Sequence, residues 1–215
     1  MNTVYLLSGP PRTAKTTIMN GLVAETKVQL VAADALEHGM RNIFTGKPHQ
    51  MLRQIEFHGT AEHKASLIEG GKFKPFSNKA TEAELVLQVI TGMLDYYRRN
   101  DESVAFEGTD FYPSWVSSLD IPGLTIKAAY VGYTDASHTK NILEHAQKDQ
   151  HDWINDWLQD ENGDDTKIRA WILDQALKCE QLKLDAESHG YPFFDISTQP
   201  FETYKSSVLN YFLES

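Results

Sequence analysis

Residues 4–20, VYLLSGPPRTAKTTIMN, constrain the fold of this chain more than any other stretch. Val4, Tyr5, Leu6 and Leu7 form an apolar run with strand character, and Ser8-Gly9-Pro10-Pro11 breaks it. A helical spacing opens at Lys15-Thr16-Thr17, with Ile18, Met19, Leu22 and Val23 on one face. A strand that turns abruptly into a helix gathers backbone N–H groups and the positive end of the helix dipole at one point. Such a corner is an anion site.

Read as G-x-x-x-x-A-K-T, residues 9–16 match the phosphate-binding loop in every position but one. Gly9, Pro10, Pro11, Arg12, Thr13, Ala14, Lys15, Thr16 and Thr17 are the expected nucleotide-binding residues. Lys15 would bring a point charge to the outer phosphates, and the Thr16 hydroxyl is placed for Mg²⁺. The expected ligands are therefore a nucleoside triphosphate and Mg²⁺. Ala14 stands where the pattern has glycine. Its methyl costs little at negative φ, but it narrows the space beside the phosphates if the backbone must approach closely.

Downstream, strands and helices alternate. VQLVAA (28–33) is a second apolar run, and Asp34 stands at its carboxyl end, where functional groups collect in an open α/β sheet. Asp34 reads either as a site residue or as the N-cap of a helix from Ala35, and one residue can do both. Between Thr45 and Lys79 the pattern loosens into short pieces such as HQMLRQIEF. Six lysines and arginines face three glutamates there, in a chain whose formal charge is -10. That local reversal suits an anionic acceptor, whereas the overall acidity repels a nucleic-acid backbone.

Residues 81–99 predict a core helix with Leu85, Val86, Val89, Ile90, Met93, Leu94 and Tyr97 in one stripe. SVAFEG then gives a buried strand closed by Glu107. An acidic residue closing an apolar strand, the second such carboxylate after a phosphate loop, resembles the second nucleotide-binding motif of P-loop proteins, whose carboxylate serves Mg²⁺ or its waters. TIKAAYVGY is a fourth strand, and 136–147 a helix. Residues 149–165 carry seven acids and no lysine or arginine, with Trp153 and Trp157 one turn apart. A long helix spans 166–188 and stops at Gly190, YPFFDIS is the last strand, and a terminal helix runs over 201–213.

Eight histidines include no H-E-x-x-H spacing, and His138 and His145 are seven apart. Metal ligation is not expected of them, although one of the seven between His38 and His151 could contact substrate. The single cysteine, Cys179, falls mid-helix among core residues and suits a reducing compartment. The strand signal begins almost at Met1, leaving no room for a signal peptide, and no apolar run approaches the ~20 residues of a membrane span. A cytoplasmic protein is expected.

The loop GPPRTAKT, the carboxylate Asp34 after the second strand, the insert, Glu107 and a lid near 148–169 together resemble the small-molecule P-loop kinases, among them the chloramphenicol phosphotransferase and nucleoside monophosphate kinase groups. The likeness follows the order of elements over most of the chain, and only residues 9–17 match closely. It implies one three-layer α/β/α P-loop NTPase domain over 1–215, with a five-stranded, mostly parallel sheet, an acceptor insert at about 45–80 and the lid. It also implies ATP-dependent phosphoryl transfer to the hydroxyl of a small metabolite.

In that resemblance Lys15 would touch the β- and γ-phosphates, and Thr16 and Glu107 would serve Mg²⁺. Asp34 would orient or deprotonate the acceptor hydroxyl, or Glu107 and Asp34 would exchange roles. Kinase lids bring arginines onto the transferred group, but the segment here is acidic and its first arginine is Arg169; Arg12 or Arg41 could take that part. The turn Ser197-Thr198-Gln199-Pro200 lies where adenine commonly rests. A nucleotide-binding regulator, an NTP hydrolase and a nucleic-acid-end kinase are the alternatives.

Overall fold

The computed structural model describes residues 2–45, 68–69, 72–73, 79–135, 138–148, 153–160 and 164–214; the side chains of 41–45, 68–69, 72–73, 79–82, 153 and 159–160 lie outside that description. The elements in chain order are β1 (Asn2–Ser8), α1 (Lys15–Thr26), β2 (Gln29–Ala32), α2 (Ala33–Thr45), β3 (Ile68–Glu69), β4 (Lys72–Phe73), α3 (Lys79–Arg99) and β5 (Val104–Gly108). They continue with α4 (Pro113–Ser118), β6 (Leu124–Gly132), α5 (His138–Lys148), α6 (Trp153–Asp160), α7 (Thr166–Ser188), β7 (Phe193–Asp195) and α8 (Phe201–Leu213). HQMLRQIEF lies outside the described residues.

Five strands form one sheet in the order β2-β5-β1-β6-β7, and every pair in it is parallel. Buried on both faces, such strands read as near-continuous apolar runs, as VYLL, VAF and AAYV do. Alternation along each strand divides the core into two layers. Val4, Leu6, Val104, Phe106, Ala128 and Tyr130 pack beneath α3, α4 and α7. Leu7, Ala105, Ala129 and Val131 pack beneath Ile18, Met19 and Leu22 of α1 and Tyr204, Val208 and Phe212 of α8. The sheet is thus covered by helices on both sides, the three-layer α/β/α arrangement.

The chain leaves β1 for β2 on one side, and β6 lies on the other. The carboxyl end of β1 is therefore a topological switch point, where open α/β sheets form their crevice. Register brings the groups of interest to that end: Leu7 of β1 and Ala32 of β2 both pair with Glu107, and Ser8 pairs with Gly108.

Some local expectations shift. On α3, Val86, Leu87, Ile90, Leu94 and Tyr97 are buried, whereas Leu85, Val89 and Met93 are only half-buried. The helix has turned to bring Leu87 inward. Arg98 and Arg99 in its last turn both pair with Asp95, each at 2.7 Å. α2 begins at Ala33, so Asp34 lies inside its first turn and is not its N-cap. Gly190 ends α7 at φ 79°, a left-handed stop.

A third apolar cluster joins α5, α6 and α7 through Tyr133, Ile142, Ile154, Ile168 and Ile172. Trp157 meets Trp171 edge-on at 6.4 Å, so this tryptophan packs within its own lobe. Among the described residues no helix is long and apolar enough to cross a membrane.

Candidate functional site

The loop from Gly9 to Ala14 joins β1 to α1. A Cβ at Gly9 would lie 2.1 Å from the Val131 carbonyl oxygen, so only glycine fits between the ends of β1 and β6. The Gly9 N–H donates to the Gly108 carbonyl at 3.2 Å, tying the loop's first residue to β5. Thr13 Oγ1 and Lys15 Nζ each donate to the Pro10 carbonyl at 2.9 Å, closing the loop on itself.

Arg12 and Ala14 both take left-handed backbone conformations, at φ 71° and φ 59°. At Ala14 the methyl group therefore opposes the loop's shape by about 1 kcal/mol, the usual cost of that region for a residue with a Cβ. From there α1 starts regularly, with the Ile18 N–H on the Ala14 carbonyl at 3.0 Å.

Lys15 and Glu107 are 7% and 6% exposed. Burial pushes the Lys15 ammonium below its ordinary range, and Glu107 first and then Asp34 act against that shift. Burial likewise raises Glu107, while Lys15 and the hydrogen bond from Thr16 hold it down. Thr16 Oγ1 donates to Glu107 Oε1 at 3.1 Å. A hydroxyl and a carboxylate in contact, with a second carboxylate nearby, form the oxygen donor set that Mg²⁺ prefers.

These groups open onto one cavity of about 1060 Å³. Pro11 to Thr17, Asp34 and Glu107 line one part. His138, Asn141, Ile142 and His145 of α5 and Ile196, Gln199, Pro200 and Phe201 line the rest. Backbone amides, a buried ammonium and two carboxylates at the carboxyl end of a parallel sheet can hold a polyphosphate and act on it.

No family model and no curated protein matches the chain. Solved structures do. The dephospho-CoA kinase from Campylobacter jejuni matches with a TM-score of 0.53 and 11% identity, over 100% of this chain and 97% of that one. The shikimate kinase from Bacteroides thetaiotaomicron matches with a TM-score of 0.53 and 16% identity, over 99% of each chain. The chain has the P-loop kinase fold.

Within this P-loop kinase fold, Pro11, Arg12, Thr13, Ala14, Lys15, Thr16, Thr17, Asp34 and Glu107 share one cavity wall, and Gly9 and Pro10 shape the loop behind it. Arg169 is not on that wall: it is half-exposed at the start of α7 and pairs with Asp165 at 2.6 Å. The Arg41 side chain lies outside the described residues. Gln199 and Pro200 of the expected base turn do reach the cavity.

His138, Asn141, His145 and Phe201 are cavity residues that the sequence reading left unassigned. A signal was present, since positions 138, 141, 142 and 145 fall on one helical face. Cys179 is buried against the sheet and its thiol is pushed up to about 11 by burial, which leaves it inert as a nucleophile.

Proposed function

We propose that the protein transfers the γ-phosphoryl group of Mg·ATP to a hydroxyl of a small metabolite. The observation that carries this reading is the convergence of Lys15, Thr16, Glu107 and Asp34 on one cavity at the mouth of a phosphate loop. Phosphoryl transfer demands positioning and charge neutralisation more than covalent chemistry, and this set can provide both.

The loop amides and the Lys15 ammonium bind the β- and γ-phosphates. Thr16 and Glu107 would hold Mg²⁺, which when bound offsets the phosphate charge. Asp34, which lines the same cavity, accepts the proton of the acceptor hydroxyl as that hydroxyl's oxygen bonds to the γ-phosphorus. The bond to the β-bridging oxygen breaks, and ADP leaves with that oxygen. Arg12 on the cavity wall supports the role of a positive group on the phosphates. Arg169 takes that role only if its pair with Asp165 opens as the lid at 148–169 closes. The turn at Gln199 and Pro200, which lines the cavity together with Asn141 and His145, would receive the base. The basic insert at 45–80 favours an anionic acceptor.

The arginine-poor lid and the Ala14 substitution favour a second reading, a nucleotide-binding regulator without transfer. Pools of small hydroxylated compounds incubated with γ-labelled ATP and Mg²⁺ separate the two. Label entering one pool, only with Mg²⁺ present, is the expected result. ATP bound tightly while every pool stays unlabelled would overturn the transfer step and leave the second reading.

A further inference from the structure

The phosphate loop holds two residues with a Cβ in the left-handed region, Arg12 and Ala14, a conformation that does not persist unless its surroundings impose it. Side chains from two distant elements grip the loop there. His138 of α5 hydrogen-bonds to the backbone of Arg12. Tyr204 of α8, 191 positions from Thr13 in the chain, donates its hydroxyl to the Thr13 carbonyl at 2.7 Å.

Tyr204 is 0% exposed, and so is Thr13. The tyrosine ring is fixed in the apolar layer formed by α1, α8 and the sheet, with Phe201 beside it at a centroid distance of 6.4 Å. Tyr204 is not part of the cavity wall, whereas Thr13, Ala14 and Lys15 are. The carbonyl and N–H of a trans peptide point in opposite directions. With the Thr13 carbonyl drawn to α8, the N–H of the same peptide, which belongs to Ala14, is turned the other way, towards the cavity.

We infer that Tyr204 is a positioning residue for polyphosphate binding. Its hydroxyl fixes the Thr13–Ala14 peptide with the Ala14 N–H aimed at the phosphates, compensating for alanine at a position where the loop pattern has glycine. This rests on the reading of the cavity as a nucleoside triphosphate site. A tyrosine that merely packed α8 would, when altered, change stability and leave polyphosphate affinity intact.

Four proteins test it: wild type, Tyr204→Phe, Ala14→Gly and the double variant. Calorimetry gives the affinity for Mg·ATP and for inorganic pyrophosphate, amide exchange reports the ligand-free loop at 12–16, and scanning calorimetry reports stability. Tyr204→Phe should weaken both ligands about tenfold, the effect of one hydrogen bond near the top of its usual range, and should speed exchange in the loop. In the Ala14→Gly background, where no Cβ opposes the left-handed turn, the same change should cost less than about threefold.

Affinities unchanged by Tyr204→Phe, with only the unfolding temperature lowered, would assign Tyr204 a packing role and overturn the inference while the site reading stood. An equal loss in both backgrounds would overturn the compensation for Ala14. A wild-type protein that binds neither probe would overturn the site reading itself, and this inference with it.

Discussion

Replacing Gly9 by alanine tests whether the strand ends are packed as tightly as the site requires. The new Cβ would lie 2.1 Å from the Val131 carbonyl oxygen, 2.7 Å from its Cγ2 and 3.0 Å from its carbonyl carbon, whereas ordinary contact begins at 3.4 Å. Two of those three atoms are backbone, in a strand held between β1 and β7, so no flexible side-chain tip can yield. β1 and β6 must separate locally by more than 1 Å, which also strains the Gly9 to Gly108 hydrogen bond. Overpacking of this kind costs up to ~3 kcal/mol. In a domain of this size that lowers the unfolding midpoint by ~6–12 °C. Gly39→Ala is the control, because nothing lies within 4 Å of its Cβ. As an exposed helix position it should gain ~0.5–1 kcal/mol. Scanning calorimetry of the three proteins reads both effects. A Gly9→Ala midpoint within ~2 °C of wild type would refute the close approach of β1 and β6.

Two further expectations concern the site. His138 is held below its ordinary pKa of 6.5 by burial, against its bond to the Arg12 backbone and the nearby Asp195 and Asp135. The unfolded chain thus takes up this proton first as pH falls, so stability is lost below 6.5 towards the folded value. Thermal unfolding of His138→Asn should therefore decline less than wild type between about pH 7.5 and 5.5, and parallel declines would contradict a buried neutral imidazole. Asp34→Asn should lower phosphoryl transfer by ~100-fold or more while leaving ATP affinity intact; full activity in that variant would remove Asp34 from proton transfer.

The sheet and the β1–α1 loop of the candidate site were legible because local signals specify them. The run VYLL, the Gly-Pro break and Lys15-Thr16-Thr17 predict β1, loop and α1, and the terminal helix at 201–213 and the long helix at 166–188 stand where their apolar spacing and stop signals put them. Asp34 was placed at the right strand end yet read as a possible cap, because helix starts are fuzzy by a residue or two. The Ala14 question turned on the sign of φ, which no residue type determines alone. Tyr204 looked like one more inward aromatic of α8. Its grip on Thr13 is a tertiary contact across 191 positions and leaves no periodic trace. His138 and His145 were set aside as metal ligands and kept only as general candidates for substrate contact, when their shared helix face was the informative feature.

Calorimetric titration of the wild-type protein and Lys15→Ala with Mg·ATP addresses the nucleotide site most directly. Lys15 is the buried ammonium facing Glu107 and Asp34 in the cavity. A charged group hydrogen-bonded to phosphate contributes ~1.5–3 kcal/mol, so its loss should weaken binding by ~10–150-fold. Binding by wild type that falls by that factor in Lys15→Ala is the expected result. Absence of binding in wild type, or equal affinity in both proteins, would contradict a working phosphate loop and leave a P-loop kinase fold without its nucleotide.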